Sequence, residues 1–250
     1  MLGENEAVEK LQTIEDTTGA YDDIEFVKRI KKIITNRCLK FIEGPKVLSL
    51  GYTKADCWAE TINKMGYSLD IVEGASTHVE YARQKFAGID KIRISHELFE
   101  SYKPVYKYNT VIAGSVIELN PDPNTLLKCI KGWLEPNGRF LLTTPNRRSL
   151  HRRVGAYMNI ESSPDELNEP AFQTSTVHLY DRYELRSVLQ SAGFQVEYLS
   201  GYFLKPLSNR QMETWSDELL MAFLMVGEEL GDYCKELVAV CKKSQTDFQD

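Results

Sequence analysis

No apolar run in this chain approaches the roughly 18–20 residues that a membrane span requires, so no transmembrane helix is expected. Disulfide chemistry is also missing. The five cysteines (Cys38, Cys57, Cys129, Cys234 and Cys241) are odd in number and scattered, with no C-x-x-C pair. They read as free buried thiols in a reducing cytoplasm. Basic charge is in short supply: 30 Lys and Arg stand against 36 Asp and Glu, a formal net charge of −6. A nucleic-acid backbone is therefore not the expected main partner, since phosphate binding needs a basic surface. The first residues, Met1-Leu2-Gly3-Glu4-Asn5-Glu6, are acidic and lack the apolar core of a signal peptide. No His/Cys cluster has metal-ligand spacing, and no nucleophile elbow with a Ser-His-Asp order occurs. Glycine is scarce where a phosphate loop would need it. In Gly51-Tyr52-Thr53-Lys54-Ala55 only the first residue is glycine, so G-x-G-x-x-G is absent. A pyrophosphate would fit badly against Tyr52 and Thr53.

What is present is organised around Lys46 to Glu73. Lys46 to Leu50 is a short apolar run of the kind that forms a buried parallel strand. Gly51 breaks it. Apolar residues at Cys57, Trp58, Ile62 and Met65 then recur at helical spacing, and Gly66 stands where a helix-ending glycine belongs. A second strand, Ser68 to Val72, ends on Glu73. Strand, helix and strand make a parallel βαβ unit. A glycine after the first strand lets a ligand approach the backbone, and the following helix directs free N–H groups there. An acid about 20 residues on can accept both hydroxyls of a ribose. Gly51 and Glu73 have that relation. The spacing fits a nucleoside site without phosphates and fits a plain strand-turn-helix equally.

Glu4 to Asp16 reads as a polar arm or short helix. Asp22 to Ile42 is an amphipathic helix with Asp22 or Asp23 as its cap, stopped by Gly44-Pro45; Tyr21 at its start could reach a ligand. Residues 1–45 thus form an arm and a covering helix. Ser76 can cap a helix through Phe86. Lys91 to Ile94, Tyr108 to Ala113 and Arg139 to Thr144 are further strands. A helical stretch around Leu126 to Leu134 follows the breakers Pro121 and Pro123, and Glu135 to Gly138 is a tight turn. Asn146 to Phe172 has no clean strand and carries Arg147, Arg148, Arg152 and Arg153. Asp181 to Ala192 and Met212 to Leu230 are helical. Gln195 to Phe203 and Glu236 to Cys241 are strands. No internal repeat or low-complexity tract appears, and the chain reads as one α/β domain over 46–250 with an insertion at about 146–180.

Strand, helix and acid, then Tyr-Asn-Thr-Val-Ile-Ala-Gly-Ser-Val-Ile-Glu from Tyr108 and Leu-Glu-Pro-Asn-Gly-Arg-Phe-Leu-Leu-Thr-Thr-Pro-Asn from Leu134, resemble the class I S-adenosylmethionine-dependent methyltransferases. The stretches from Pro145 and from Gly201 resemble a bacterial subgroup that modifies sugars and surface polysaccharides. The resemblance implies a Rossmann-like, mostly parallel seven-stranded sheet in the order 3-2-1-4-5-7-6, flanked by helices, with the last strand antiparallel. It implies S-adenosyl-L-methionine as cofactor and S-adenosyl-L-homocysteine as product. It places Gly51, Tyr52 and Thr53 against the cofactor's amino-acid part and Glu73 with Gly74 at the ribose. His96, Glu97, Leu98 and Phe99 surround the adenine, and Gly114 and Ser115 lie near the sulfonium.

Methyl transfer to a neutral hydroxyl needs alignment and a base. The resemblance puts His151 and His178 on the acceptor side, with Glu118 able to orient the acceptor. Arg152, Tyr180, Phe203 and Lys205 are candidate acceptor contacts, the arginines by bidentate bonds to a phosphate or carboxylate. A structural hydrogen bond for His178 and a solvated helix face for the arginines are the plain alternatives. The expected acceptor is a small hydroxylated molecule, a sugar derivative, either neutral or anionic. The competing readings are a catalytically inactive methyltransferase-like binding protein and a nicotinamide oxidoreductase, the latter needing glycines this loop lacks.

Overall fold

A computed structural model describes residues 25–159 and 176–244. Seven strands form one sheet in the order β3-β2-β1-β4-β5-β7-β6. They are β1 (Lys46–Leu50), β2 (Ser68–Glu73), β3 (Ile92–His96), β4 (Tyr108–Gly114), β5 (Leu134–Pro145), β6 (Phe194–Tyr202) and β7 (Glu236–Lys243). β1, β2, β3, β4 and β5 pair in parallel, while β7 runs antiparallel to both β5 and β6. The expected topology is therefore observed. Successive strand residues point to opposite faces. Val47, Ile112 and Leu141 accordingly join one buried cluster, and Leu48, Val111 and Leu142 the other.

Helices cover each face. Phe26, Ile30 and Ile34 of α1 (Glu25–Cys38) pack on the first cluster with Ile62 of α2 (Trp58–Lys64) and Ala82 of α3 (Ser76–Lys85). The second cluster takes Leu126, Leu127 and Ile130 of α4 (Pro123–Trp133) and Leu185 and Leu189 of α6 (Arg182–Ser191). Along the chain α5 (Leu150–Tyr157) falls between α4 and α6, and α7 (Asn209–Met212) and α8 (Asp217–Glu229) precede β7.

Several expectations change at the boundaries. Pro123 is not a breaker; it occupies the first turn of α4, where a missing N–H costs nothing, behind a cap by Asp122 on the Thr125 amide. Ser76 lies inside α3, whose cap position is Ala75, and the Ala75 N–H goes to the Glu73 carboxylate instead. The long helix from Met212 is interrupted. Arg29 of α1 donates to the carbonyls of Glu213 and Trp215, and Ser216 caps a new start at Asp217. The proposed caps Asp22 and Asp23, Tyr21 and the arm at 4–16 lie outside the described residues, as does most of the stretch at 146–180 beyond residue 159.

The entry to α6 is a complete capping box. Asp181 Oδ1 accepts from the amides of Tyr183 and Glu184, both at 2.9 Å, and Glu184 accepts from the Asp181 amide at 3.1 Å. Asp181→Ala is expected to lower stability by about 0.5–2 kcal/mol in urea denaturation.

Candidate functional site

In this strand order the chain turns to opposite sides after β1 and β4, which lie side by side, and the crevice at their carboxyl ends is where open α/β sheets bind ligands. Gly51 follows β1 with φ +77°, a conformation that suits glycine, and a side chain there would point toward Val116 and the Glu73 carboxylate. Glu73, at the end of β2, is 8% exposed. Its Oε2 accepts from the Tyr52 amide and its Oε1 from the Ala75 amide, each at 2.7 Å. The carboxylate therefore ties the loop after β1 to the loop after β2. Burial raises its pKa and these two amides oppose the rise. Each oxygen keeps further acceptor capacity.

Tyr52 contributes its backbone rather than its ring. The side chain is 1% exposed and turned into the core against Tyr81 and Phe86, at 6.2 and 5.6 Å between ring centroids. That inward turn keeps the bulk of the ring out of the crevice. Thr53 closes the loop by accepting the Asp56 amide.

His96 ends β3 opposite Glu73, and its Nε2 lies 3.1 Å from the Gly74 carbonyl. The Glu97 amide donates to the Glu73 carbonyl. Leu98 is exposed, and Phe99 opens a short 3-10 turn beside it. Gly51, Tyr52, Glu73, Gly74, His96 and Glu97 are thus brought to one rim of the sheet. Gly114 and Ser115 end β4 on the same rim; Gly114 lies close to the Trp58 indole nitrogen, and Ser115 holds φ +57°. A non-glycine residue in the left-handed region stores strain, and such residues concentrate at functional sites.

Sequence reasoning missed Glu236. It is buried at the start of β7, pairing in register with Pro145 of β5 and Tyr202 of β6. Its Oε1 accepts from Ser115 Oγ at 3.3 Å and its Oε2 from Lys235 Nζ at 2.8 Å. A charged residue opening the otherwise apolar run Leu-Val-Ala-Val-Cys was the available signal. Glu118 lies close by, 3% exposed, and accepts from Thr144 Oγ1 at 3.0 Å. Burial first, then the neighbouring Glu236 charge, pushes its carboxyl up to about 8 against the pull of its own amide, Thr144 and Lys235. Glu118 is therefore mostly a neutral acid at pH 7.

The two acceptor-side histidines differ. The His178 amide donates to the Glu118 carbonyl at 3.1 Å, its ring lies 6.0 Å from that of Tyr180, and its buried Nε2 has no hydrogen-bond partner among the described residues. His151 also has a buried ring nitrogen, Nδ1, without such a partner. Burial, then Lys205, Lys235 and Arg152, hold His151 well below its usual pKa. A base must accept a proton, and these three cations make His151 a weak one.

The arginines do not act as one cluster. Arg147 is engaged by Asp181 and Glu184 at 3.3 and 2.9 Å, and Arg153 lies over the Tyr233 ring. Arg152, Lys205 and Lys235 all lie near enough to His151 to act on its charge. Tyr180 is buried, its carbonyl accepts the Arg147 amide, and its hydroxyl is pushed up to about 12 by burial and by Glu118. Phe203 is fully buried at φ +62°, and with Lys205 it borders a small cavity under α1. Among the described residues no group of three or more His, Cys, Asp or Glu could hold a metal ion, and no helix is long and apolar enough to cross a membrane.

A family model described as a methyltransferase domain matches residues 24–199. The mitochondrial ubiquinone biosynthesis O-methyltransferase of Bos taurus is 22% identical over 189 residues, 72% of this chain and 49% of that protein, so the chain spans about half the length of this curated relative. Among solved structures, the plantazolicin methyltransferase BpumL in complex with SAH superposes with a TM-score of 0.60 at 16% identity, covering 96% of this chain and 97% of that one. A possible histamine N-methyltransferase from Thermotoga maritima gives 0.61 at 15% identity over 94% and 100%. At these identities the structural likeness is one of fold.

Proposed function

The chain belongs to the methyltransferase domain family, and on that premise we propose that it moves a methyl group from S-adenosylmethionine to an oxygen of a small hydroxylated acceptor. The observation that supports this best is the convergence of Gly51, the Tyr52 amide and Glu73 at the crevice between β1 and β4. A glycine at positive φ and a buried carboxylate with remaining lone pairs fit a ribose, and a ligand without phosphates makes no demand for further glycines. When bound, S-adenosylmethionine supplies an electrophilic methyl on sulfur. Glu73 accepts from the ribose hydroxyls. The His96 to Phe99 segment borders the base. Ser115 and Glu236 border the reacting end, where Glu118, as a neutral acid, can donate to the acceptor. His178 takes the hydroxyl proton at Nε2. The sugar-modifying subgroup is kept as the narrower reading on the strength of the stretches after Pro145 and Gly201.

Calorimetry with S-adenosylhomocysteine tests the cofactor. Saturation at 100 times the dissociation constant is expected to raise stability by about 2.7 kcal/mol. No heat and no thermal stabilisation at millimolar ligand would end the methyl-transfer reading in favour of a different binding role. Glu73→Gln keeps the side-chain volume but turns one acceptor into a donor facing a backbone N–H. It is expected to weaken S-adenosylhomocysteine binding by about 1.5–3 kcal/mol. Glu73→Ala is the poorer test, because it strands the Tyr52 and Ala75 amides and destabilises the loops themselves. Wild-type affinity in Glu73→Gln would detach this residue from the ribose.

A further inference from the structure

The acidic chain concentrates positive charge on α1, whose 14 residues hold Lys28, Arg29, Lys31, Lys32 and Arg37 against the single acid Glu25. Between α1 and the loop that follows Gly51 lies an open cleft of about 240 Å³, smaller than the roughly 300–1,000 Å³ of pockets that enclose a drug-sized ligand and of a size for one polar group of a ligand. Five cations from three segments line it: Lys28, Arg29 and Lys32 from α1, Lys54 from the loop and Lys85 from α3. Three acids face them. Glu60 is paired with Lys85. Asp56 is only half-buried as a residue, yet burial of its carboxylate pushes it up to about 7 while the Trp58 amide holds it from rising further. It therefore carries a partial charge at neutral pH. Glu25 remains at the mouth. Arg29 is paired with Asp217 and donates to the Trp215 carbonyl, so its charge is largely offset, as that of Lys85 is by Glu60, and Lys28, Lys32 and Lys54 supply the rest of the positive lining.

A positive patch on a helix is ordinarily a solvated face. Here the patch is concave, it draws on three separate segments, and one wall is the loop whose backbone reaches Glu73. An anion in the cleft would sit beside the nucleoside site, and the cofactor has no phosphate to put there. Lysine ammoniums act as point charges toward phosphate and need no fork geometry. We infer that this cleft binds the phosphate or diphosphate group of a phosphorylated small-molecule acceptor. Calling that molecule the acceptor rests on the methyl-transfer reading; the binding of phosphate does not.

The test is calorimetry on the full chain, with and without saturating S-adenosylhomocysteine, using inorganic pyrophosphate and uridine diphosphate as probes and uridine as the neutral control. Lys32 and Lys54 are exposed, so Lys32→Gln and Lys54→Gln are expected to fold normally. Wild-type protein should bind both anions and not uridine, and each variant should bind them about tenfold or more weakly. S-adenosylhomocysteine affinity should stay unchanged in both. No binding of pyrophosphate and uridine diphosphate to wild type, or unchanged affinity in both variants, overturns the cleft as a phosphate site. Affinity confined to single-stranded RNA or to phosphatidylglycerol vesicles overturns the small-molecule assignment. If S-adenosylhomocysteine binds and the anions do not, the cleft alone is lost; if neither binds, the methyl-transfer reading falls with it.

Discussion

His178→Ala is expected to lower turnover by about 10²–10⁴-fold and to leave S-adenosylhomocysteine affinity nearly unchanged. The position of the residue is the reason. Its backbone amide is pinned to the Glu118 carbonyl, one turn past Ser115, and its Nε2 is buried with no partner among the described residues. A buried acceptor nitrogen is costly to leave unpaired, so a ligand proton there offsets a standing penalty. His151 has a similar orphan nitrogen, but Lys205, Lys235 and Arg152 oppose the charge it would gain. His151→Ala should therefore have the smaller effect on turnover. The assay requires an acceptor, which a screen of sugars, sugar phosphates and sugar nucleotides would supply. Wild-type turnover in His178→Ala would remove this residue from proton transfer, and an equal loss of cofactor affinity would mark it as structural.

Glu118→Gln is expected to stabilise the fold at alkaline pH, by on the order of 3 kcal/mol at pH 8.5. The folded carboxyl titrates at about 8, raised chiefly by burial, against an ordinary value of 4.5. Between those two values the folded chain holds more protons than the unfolded one, so stability falls as pH rises through that window. Below pH 4.5 both states are protonated and the term vanishes. Glutamine does not titrate, and its carbonyl still accepts from Thr144. Wild type and variant should match in urea denaturation near pH 3.5 and diverge as the pH climbs to 8.5. A constant difference across that range would show that Glu118 does not ionise within it.

Much of the fold could be read from one-dimensional pattern. Val47 to Leu50, Leu69 to Val72 and Phe140 to Thr144 are mainly apolar runs, interrupted by Ser49, Asp70, Thr143 and Thr144, and buried parallel strands have that composition. Gly51 and Glu73 were legible because their spacing carries a backbone requirement. What stayed hidden depends on partners distant in the chain. The break before Asp217 is fixed by Arg29, 188 residues earlier for that contact. The arginines after Pro145 looked like one cluster until Asp181 and Glu184 took Arg147 and Tyr233 took Arg153. Glu236 joined the site only through the register that sets it beside Pro145. The direction of the Tyr52 ring, inward onto Tyr81 and Phe86, follows from packing that no local propensity encodes.

The place of β7 between β5 and β6 also constrains how the molecule is made. Leu141 pairs with Val240, and Leu199 with Ala239, so both neighbours of β7 are synthesised before it. During translation the first five strands can assemble as they emerge, but β5 must keep an unpaired edge until about a hundred further residues have been added. β6 meanwhile waits for β7, its one neighbour among the described strands. Unpaired strand edges are the templates on which chains aggregate. The interval between the release of β6 and the release of β7 from the ribosome is therefore when this protein is most exposed to edge-to-edge association, and chaperone protection would matter most in that interval.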